Sequence, residues 1–298
     1  MCNLKSFLFE LLCLVGIVGN PVMLHYYGLY GLGIQTVVNC IIYWLDYVLF
    51  PSTKKNFTNL RKNGFTATYV VGIMVFNALV VNILVGIILY NVDISEANVD
   101  AIWKLFINLA LTEILFCGAH SILHCTKCGA RTHLMHHLCI ESSWSTNIIF
   151  NPLDIVAEFL PPLTILLTMH YFVWKDGFTM YLSQLVMHIW YFFGHSATLK
   201  LPHFYHHAKC NQMYSIYIKK TFQGMELVKR LFVTDKGQKH VVINKTTYDI
   251  TAFAPMHPGG IQLMRTKHGE DITKRFLAVH GKNLSVLDRI KKVLPDKE

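Results

Sequence analysis

The sequence predicts an all-α integral membrane domain of about four to six membrane segments. That domain carries a cytosolic histidine cluster and is followed by a small soluble domain. Three observations lead there. Hydrophobic residues make up 53% of the chain and charged residues only 15%, against about 25% charged in an average soluble domain. Of the 16 histidines, half fall in three short boxes beside apolar stretches. From Lys219 onward charge becomes frequent and the long apolar runs stop.

Residues 11–45 carry no formal charge and are interrupted by Gly19-Asn20-Pro21 and by Gly31-Leu32-Gly33. These interruptions predict either a break between two segments or one kinked segment. The apolar stretch runs well past the length of a secretory leader, and only Lys5 precedes it, so it is expected to stay as a membrane segment. Residues 52–63 form a polar loop with Lys54, Lys55, Arg61 and Lys62. Residues 65–92 are uncharged and long enough to span, since about 20 apolar residues cross a bilayer core. After the acidic Asp93, Glu96 and Asp100, residues 102–123 are again largely apolar. Two further uncharged segments, 159–174 and 177–198, are joined by Lys175-Asp176-Gly177 as a helical hairpin. The expected division is a membrane domain over 1–215, a linker over 216–236 and a second domain over 237–298.

The formal net charge of +9 sits mainly in loops and in the C-terminal third. Such placement suits anionic lipid. Without a nucleic-acid motif, no nucleic-acid partner is expected. Basic loops stay on the cytoplasmic side, which puts 54–62 and the C-terminal domain in the cytosol and returns 102–123 to that side. Asn56-Phe57-Thr58 is then a chance glycosylation sequon. Most of the eight cysteines lie in apolar segments, where they act as small hydrophobes, and Cys125-x2-Cys128 is read as loop sequence.

The boxes are His120-x3-His124, His133-x2-His136-His137 and His203-x2-His206-His207. Residues three and four apart share a helix face, so the rings in each box are expected to converge. Neutral imidazole ligates iron, zinc or copper, and polar clusters near a membrane core are costly unless they have partners. His195 joins the ligand set, as does His188, about two helical turns earlier. His170 and His25 are assigned structural roles. Eight to ten imidazoles exceed what one metal can use and suit two. The Glu-x2-His motifs of a carboxylate-bridged site are missing, and Asp154 and Glu113 are candidates for holding ligands in place.

The three boxes, with the Asn151-Pro152-Leu153-Asp154 segment after the second, resemble the fatty acid hydroxylase/sterol desaturase superfamily over residues 65–214. That superfamily has histidine where this chain has Asn151. The resemblance implies an endoplasmic-reticulum enzyme with two non-haem iron ions. It would use dioxygen and electrons to hydroxylate or desaturate a C–H bond of a fatty acyl, sphingolipid or sterol substrate.

His257-Pro258-Gly259-Gly260 follows Tyr248-Asp249-Ile250-Thr251-Ala252-Phe253. This run resembles the cytochrome b5 haem-binding core, with Val241-Val242-Ile243 as the preceding strand and Asp271-Ile272-Thr273 downstream. The resemblance implies a small α+β domain holding haem b between His257 and His280, and a cytochrome b5 reductase-type donor. With both axial positions closed, such a haem carries electrons. The family's usual tryptophan is absent, and Lys245 stands where the family has glycine. A donor fused to its acceptor works at raised effective concentration. Such a fusion resembles the fatty acid 2-hydroxylases, whose haem domain is N-terminal. Two other functions fit parts of the sequence. One is a membrane-anchored haem electron carrier with an inactive membrane part. The other is a histidine-rich transporter of divalent metal, for which more intramembrane carboxylates are expected.

Overall fold

The computed structural model describes residues 4–90, 98–139, 143–196, 199, 202–209, 239–251, 253–254, 257, 266–280 and 284–292. The expected linker, 216–236, lies outside the described residues, as do Pro258, Gly259, Gly260 and the side chains of His25 and Cys125.

The first helix, α1 (Leu4–Leu49), is two arms joined at Gly28, which sits at φ 54°. Glycine takes that left-handed conformation without the Cβ penalty of other residues. The chain reverses there. Lys5 Nζ donates to the Leu49 carbonyl at 2.8 Å, and Gln35 Nε2 donates to the Gly16 carbonyl at 2.7 Å. The break therefore falls between the two expected positions. Gly31 serves the turn differently, because a Cβ there would lie 2.1 Å from the Met23 carbonyl oxygen. Tyr27, Leu29 and Tyr30 stand exposed at the tip, where interfacial aromatics belong.

Residues 52–63 are a helix rather than a loop: α2 (Pro51–Lys62) starts on a proline, which is pre-set for the first helical position. It buries Thr53, Asn56 and Leu60 and exposes Lys54, Lys55, Arg61 and Lys62. The spacing of its buried residues is helical. Asp46 ties this helix to its surroundings by accepting from Thr53 Oγ1 at 2.9 Å and from the Ser145 amide at 3.1 Å.

Next, α3 (Ala67–Tyr90) packs along α1. In lipid no hydrophobic force draws helices together, so buried polar side chains become the glue. Asn82 Nδ2 donates to Thr36 Oγ1 at 3.0 Å, and Asn77 Nδ2 reaches the carbonyls of Ile148 and Phe150 at 2.8 and 2.9 Å. The fourth helix, α4 (Ala101–Cys125), runs into α5 (Lys127–His137) and packs against α6 (Pro152–Thr168) and α7 (Gly177–Gly194). A π-helical turn, Met169–Trp174, extends α6. The expected hairpin turn forms: Lys175 adopts a left-handed conformation. Asp176 accepts from the Thr179 amide at 2.9 Å and from Lys104 Nζ at 2.7 Å. A short α8 (Pro202–Lys209) closes this part.

Among the described residues, four helical stretches are long and apolar enough to cross a membrane: Tyr26–Leu49, Ala67–Gly86, Ala101–His124 and Pro152–Trp174. The expected span over 177–198 is not one of them, because α7 carries Thr179, Ser183, Gln184 and His188 through its apolar sequence. The basic α2 and the second histidine box share one end of the bundle, where Asn59 Nδ2 donates to the Leu138 carbonyl at 2.7 Å.

The C-terminal part holds strands β1 (His240–Ile243), β2 (Thr246–Asp249), β3 (Glu270–Asp271) and β4 (Lys291–Lys292), with α9 (Thr273–His280). The sheet order is β3-β1-β2-β4. The β1–β2 and β2–β4 pairs are antiparallel and β1–β3 is parallel. Val241 and Ile243 share one face, as alternation along a strand requires, and meet Tyr248, Ile250, Ile272, Phe276 and Leu287 in a core. Asn244 and Lys245 connect β1 to β2 at φ 49° and 62°. A two-residue hairpin of this type needs positive φ at both positions.

Candidate metal centre

The first box lies at the end of α4 and the second on α5. Between them Thr126 Oγ1 accepts from the Gly129 amide at 3.0 Å and caps α5. A Cβ at Gly129 would lie 2.5 Å from the Leu123 Cα and 2.6 Å from its carbonyl oxygen. The turn from α4 into α5 is thus closed to any residue larger than glycine, and it folds box two back onto box one.

The nine histidines of the three boxes and His195 divide into two groups. His120, His124, His133, His137 and His206 form one; His136, His195, His203 and His207 form the other. All nine are buried. The division follows from helix geometry. Residues four apart share a face, so His120/His124 and His133/His137 point into the first group and His203/His207 into the second. The other member of each adjacent pair, His136 or His206, points into the opposite group. The doublets therefore bridge two sites, which corrects the expectation that each box converges on one point.

In the first group the Nε2 atoms close a ring. His120 lies 3.2 Å from His124 and 3.1 Å from His133. His133 lies 2.9 Å from His137. His206 completes the circuit at 3.1 Å from His124 and 3.2 Å from His137. A hydrogen bond needs a proton on one nitrogen and a lone pair on the other. Five members cannot alternate, so hydrogen bonding alone leaves at least one pair of like atoms in contact. A cation inside the ring, faced by five lone pairs, satisfies every member.

His133 supports that assignment. Its Nδ1 lies 2.9 Å from both carboxylate oxygens of Asp154. A carboxylate accepts, so Nδ1 carries the proton and Nε2 presents its lone pair inward. Asp154 stands in the first turn of α6, which Asn151 caps by accepting from the Leu153 amide at 3.0 Å. Glu158, one turn further, is also buried. Its Oε1 lies 3.7 Å from His133 Nδ1 and 3.9 Å from His120 Nδ1. Sequence reasoning picked Asp154 and missed Glu158; the spacing of four on α6 was the available signal. Glu113 is buried on α4 outside both groups.

In the second group His195 Nε2 lies 3.0 Å from His207 and 3.4 Å from His136, and His207 lies 3.3 Å from His203. His195 Nδ1 faces the Tyr191 carbonyl at 3.4 Å, which again leaves Nε2 as the inward lone pair. Burial, and then the neighbouring imidazoles, push His136, His137, His203 and His207 well below the ordinary histidine value of 6.5. Neutral imidazole is the form that binds metal. The two histidine groups therefore fit two metal ions, and His133 with Asp154 and Glu158 forms a third, mixed nitrogen–oxygen set at the edge of the first.

His188 stands outside both groups. It packs on Phe192 with ring centroids 5.0 Å apart and lines a narrow cleft of about 20 Å³ beside them. Phe116, Phe150, Phe159 and Tyr191 also line the cleft, and His195 and His203 form its metal-facing wall. His170 lies in the π-helical turn, away from both groups.

In the C-terminal part His257 and His280 face each other with ring centroids 6.0 Å apart at 86°. His280 ends α9 and stacks on Phe276 at 4.7 Å. Burial lowers its pKa, which keeps it neutral. His268 and His240, which sequence reasoning left aside, pack on each other at 4.8 Å. Two facing imidazoles beside an apolar core fit a haem held from both sides.

Comparison with known proteins bears on this second site. The family of cytochrome b5-like heme/steroid binding domains matches residues 226–294. The match thus begins inside the stretch expected as linker. A protein of Neurospora crassa named as a cytochrome b5 is 40% identical over 55 residues, 18% of this chain and 64% of that protein. The L-lactate dehydrogenase (cytochrome) of Saccharomyces cerevisiae is 41% identical over 58 residues, 20% of this chain and 9% of that protein. No solved structure matches the chain. The C-terminal part of the chain carries a cytochrome b5-like haem-binding domain.

Proposed function

We propose that this chain is a membrane-bound oxygenase with two non-haem iron ions, which hydroxylates or desaturates a lipid C–H bond using electrons from its own cytochrome b5-like domain. The observation that carries this reading is the pair of adjoining all-histidine groups, nine buried imidazoles sharing two doublets. Bound iron would supply dioxygen activation and cleavage of an unactivated C–H bond. The residues supply the rest. Asp154 and the Tyr191 carbonyl fix ring orientation. The narrow apolar cleft walled by His195 and His203 marks the side from which an alkyl chain would approach the metals. His257 and His280 would hold the haem that relays electrons.

The test is lipid mass spectrometry on cells expressing the intact chain or the His133→Ala variant. A lipid that gains one oxygen or loses two hydrogens only with the intact chain supports the oxygenase. An unchanged lipid profile, with haem bound, favours the alternative of a membrane-anchored electron carrier, to which the family match over 226–294 alone would point.

A further inference from the structure

Either outcome of the proposed reaction consumes protons. Hydroxylation turns a C–H bond, one dioxygen, two electrons and two protons into an alcohol and one water. Desaturation uses the same dioxygen, electrons and protons and gives a double bond and two waters. The electrons come through the haem. The protons come from water, and the water formed must leave, yet all the histidines of both groups are buried.

A polar opening reaches His195 at the end of the bundle that carries α2. It is a pocket of about 40 Å³ whose lining includes Ser6, Ser52, Glu10, Asp46, Ser143 and His195. Ser6 and Ser52 are only half-buried and mark its mouth, and α2 exposes Lys54 and Lys55 just beyond. Glu10 and Asp46 are 8% and 2% exposed. Burying a carboxyl is costly unless hydrogen bonds satisfy it. Asp46 is tied to Thr53 and Ser145. Glu10 Oε1 accepts from Ser196 Oγ at 2.5 Å, and Ser196 Oγ accepts from the Leu199 amide at 2.9 Å. The carboxylate is thereby joined to the residue that follows His195. Trp144 also lines the pocket, and its Nε1 is buried without a hydrogen-bond partner. Carboxyls, hydroxyls and an unpaired N–H around a small cavity are the groups that buried water satisfies. One water needs about 10–15 Å³, so the pocket has room for about three. His195 also lines the narrow cleft of Phe116, Phe150 and Phe159, so it stands between an apolar opening and a polar one.

We propose that this pocket holds a file of water that carries protons to the second histidine group and lets product water out, with Glu10 as the positioning residue that orders the file together with Ser196. The proposal rests on the oxygenase reading and adds its proton route. Protons pass along the file from solvent by exchange between neighbouring waters, and Glu10 serves as a fixed acceptor that holds the inner water in place.

The first test needs no turnover. X-ray radiolysis of water around the full chain in detergent oxidises side chains that touch water, and mass spectrometry reads the sites. Trp144 should be oxidised several-fold faster than Tyr43, which is as buried, at 6% exposure against 5%, but sits in an apolar core. Ser52→Trp, which fills the mouth, should remove that excess. Equal oxidation of Trp144 and Tyr43 in the intact chain means a dry pocket and overturns the proposal. The second test reads the lipid product by mass spectrometry in cells. Ser52→Trp and Glu10→Leu should each lower it about 100-fold, the scale of an impaired proton transfer, with metal and haem content at the wild-type level. Glu10→Gln, which keeps an oxygen for Ser196 and for water, should retain most of the product. Undiminished product in either lowering variant overturns the proposal, and a loss in Glu10→Gln equal to that in Glu10→Leu contradicts the acceptor role. Loss of metal in Glu10→Leu also overturns it, because the carboxylate would then be a support for His195. A wild-type chain that yields no product lipid refutes the oxygenase reading instead, and the oxidation of Trp144 still decides whether the pocket is wet.

Discussion

Asp154 decides how His133 presents itself. With both carboxylate oxygens at 2.9 Å from Nδ1, the ring has one tautomer and one orientation available. Asp154→Ala should lower metal affinity by about 10–100-fold, read by competition with a chelator; unchanged affinity would mean that packing alone orients His133. His188→Ala should leave metal content unchanged, because His188 belongs to neither group; metal loss there would restore it to the ligand set. The pH dependence follows from the same burial. His136, His137, His203 and His207 titrate far below 6.5 in the folded protein, while an unfolded chain takes up protons near about 6.5. Below that value the unfolded state binds more protons, so stability is full above it and falls as pH drops. The unfolding midpoint of metal-stripped protein should be flat above pH about 7 and fall from about 6.5 downward. A midpoint that holds steady to pH about 5 would contradict the buried, neutral cluster. The three boxes were legible in sequence because helical spacing is periodic. Glu158 was passed over although it stands one helical turn after Asp154 on α6, because its nearness to His120 and His133 arises only when α6 packs on α4 and α5.

At the scale of elements, two turns carry unusual demands. Gly129 lets α5 fold back on α4, and the atoms that a Cβ would meet are backbone atoms of Leu123. Those atoms cannot rotate aside, so Gly129→Ala must move box two relative to box one. A displacement of about 1 Å can reduce turnover about 100-fold. The variant should therefore lose metal and activity together; full activity would show that the turn relaxes freely. The second turn is Asn244-Lys245, where Lys245 holds φ 62°. A non-glycine residue there is strained by about 1–3 kcal/mol. Lys245→Gly should raise the temperature at which the haem band is lost in the full chain, and a lowered temperature would contradict the strain. Sequence reasoning marked Lys245 only by its contrast with a glycine in a resembling family. It placed the first break beside Gly19 or Gly31, since glycine and proline clusters show that a chain can bend. Gly28 bends instead, because there the two arms bring Gln35 to Gly16 and Lys5 to Leu49. Those partnerships span long sequence separations that local pattern does not encode.

The whole molecule joins an apolar helical part, with its histidine groups at one end, to a cytochrome b5-like domain. His257→Ala/His280→Ala should remove haem, keep the non-haem metal and abolish turnover, with activity returning when free cytochrome b5 and its reductase are added. Undiminished turnover without haem would sever the two halves functionally. The membrane character was legible from long apolar runs, and among the described residues four helical stretches are long and apolar enough to span. The run over 177–198 misled because Thr179, Ser183 and Gln184 carry no charge yet turn inward and are buried, so charge counting alone overstates its affinity for lipid. The division of nine histidines between two groups was not legible either. It depends on His136 and His206 pointing away from their neighbours, which only the meeting of α4, α5, α7 and α8 turns into two sites.

The most direct measurement is the iron and haem content of the detergent-purified chain beside that of His136→Ala/His206→Ala, which removes one ligand from each histidine group. Two irons and one haem per intact chain, with the non-haem iron lost and the haem kept in the double variant, is the expected result. Haem alone in the intact chain would contradict the dimetal centre.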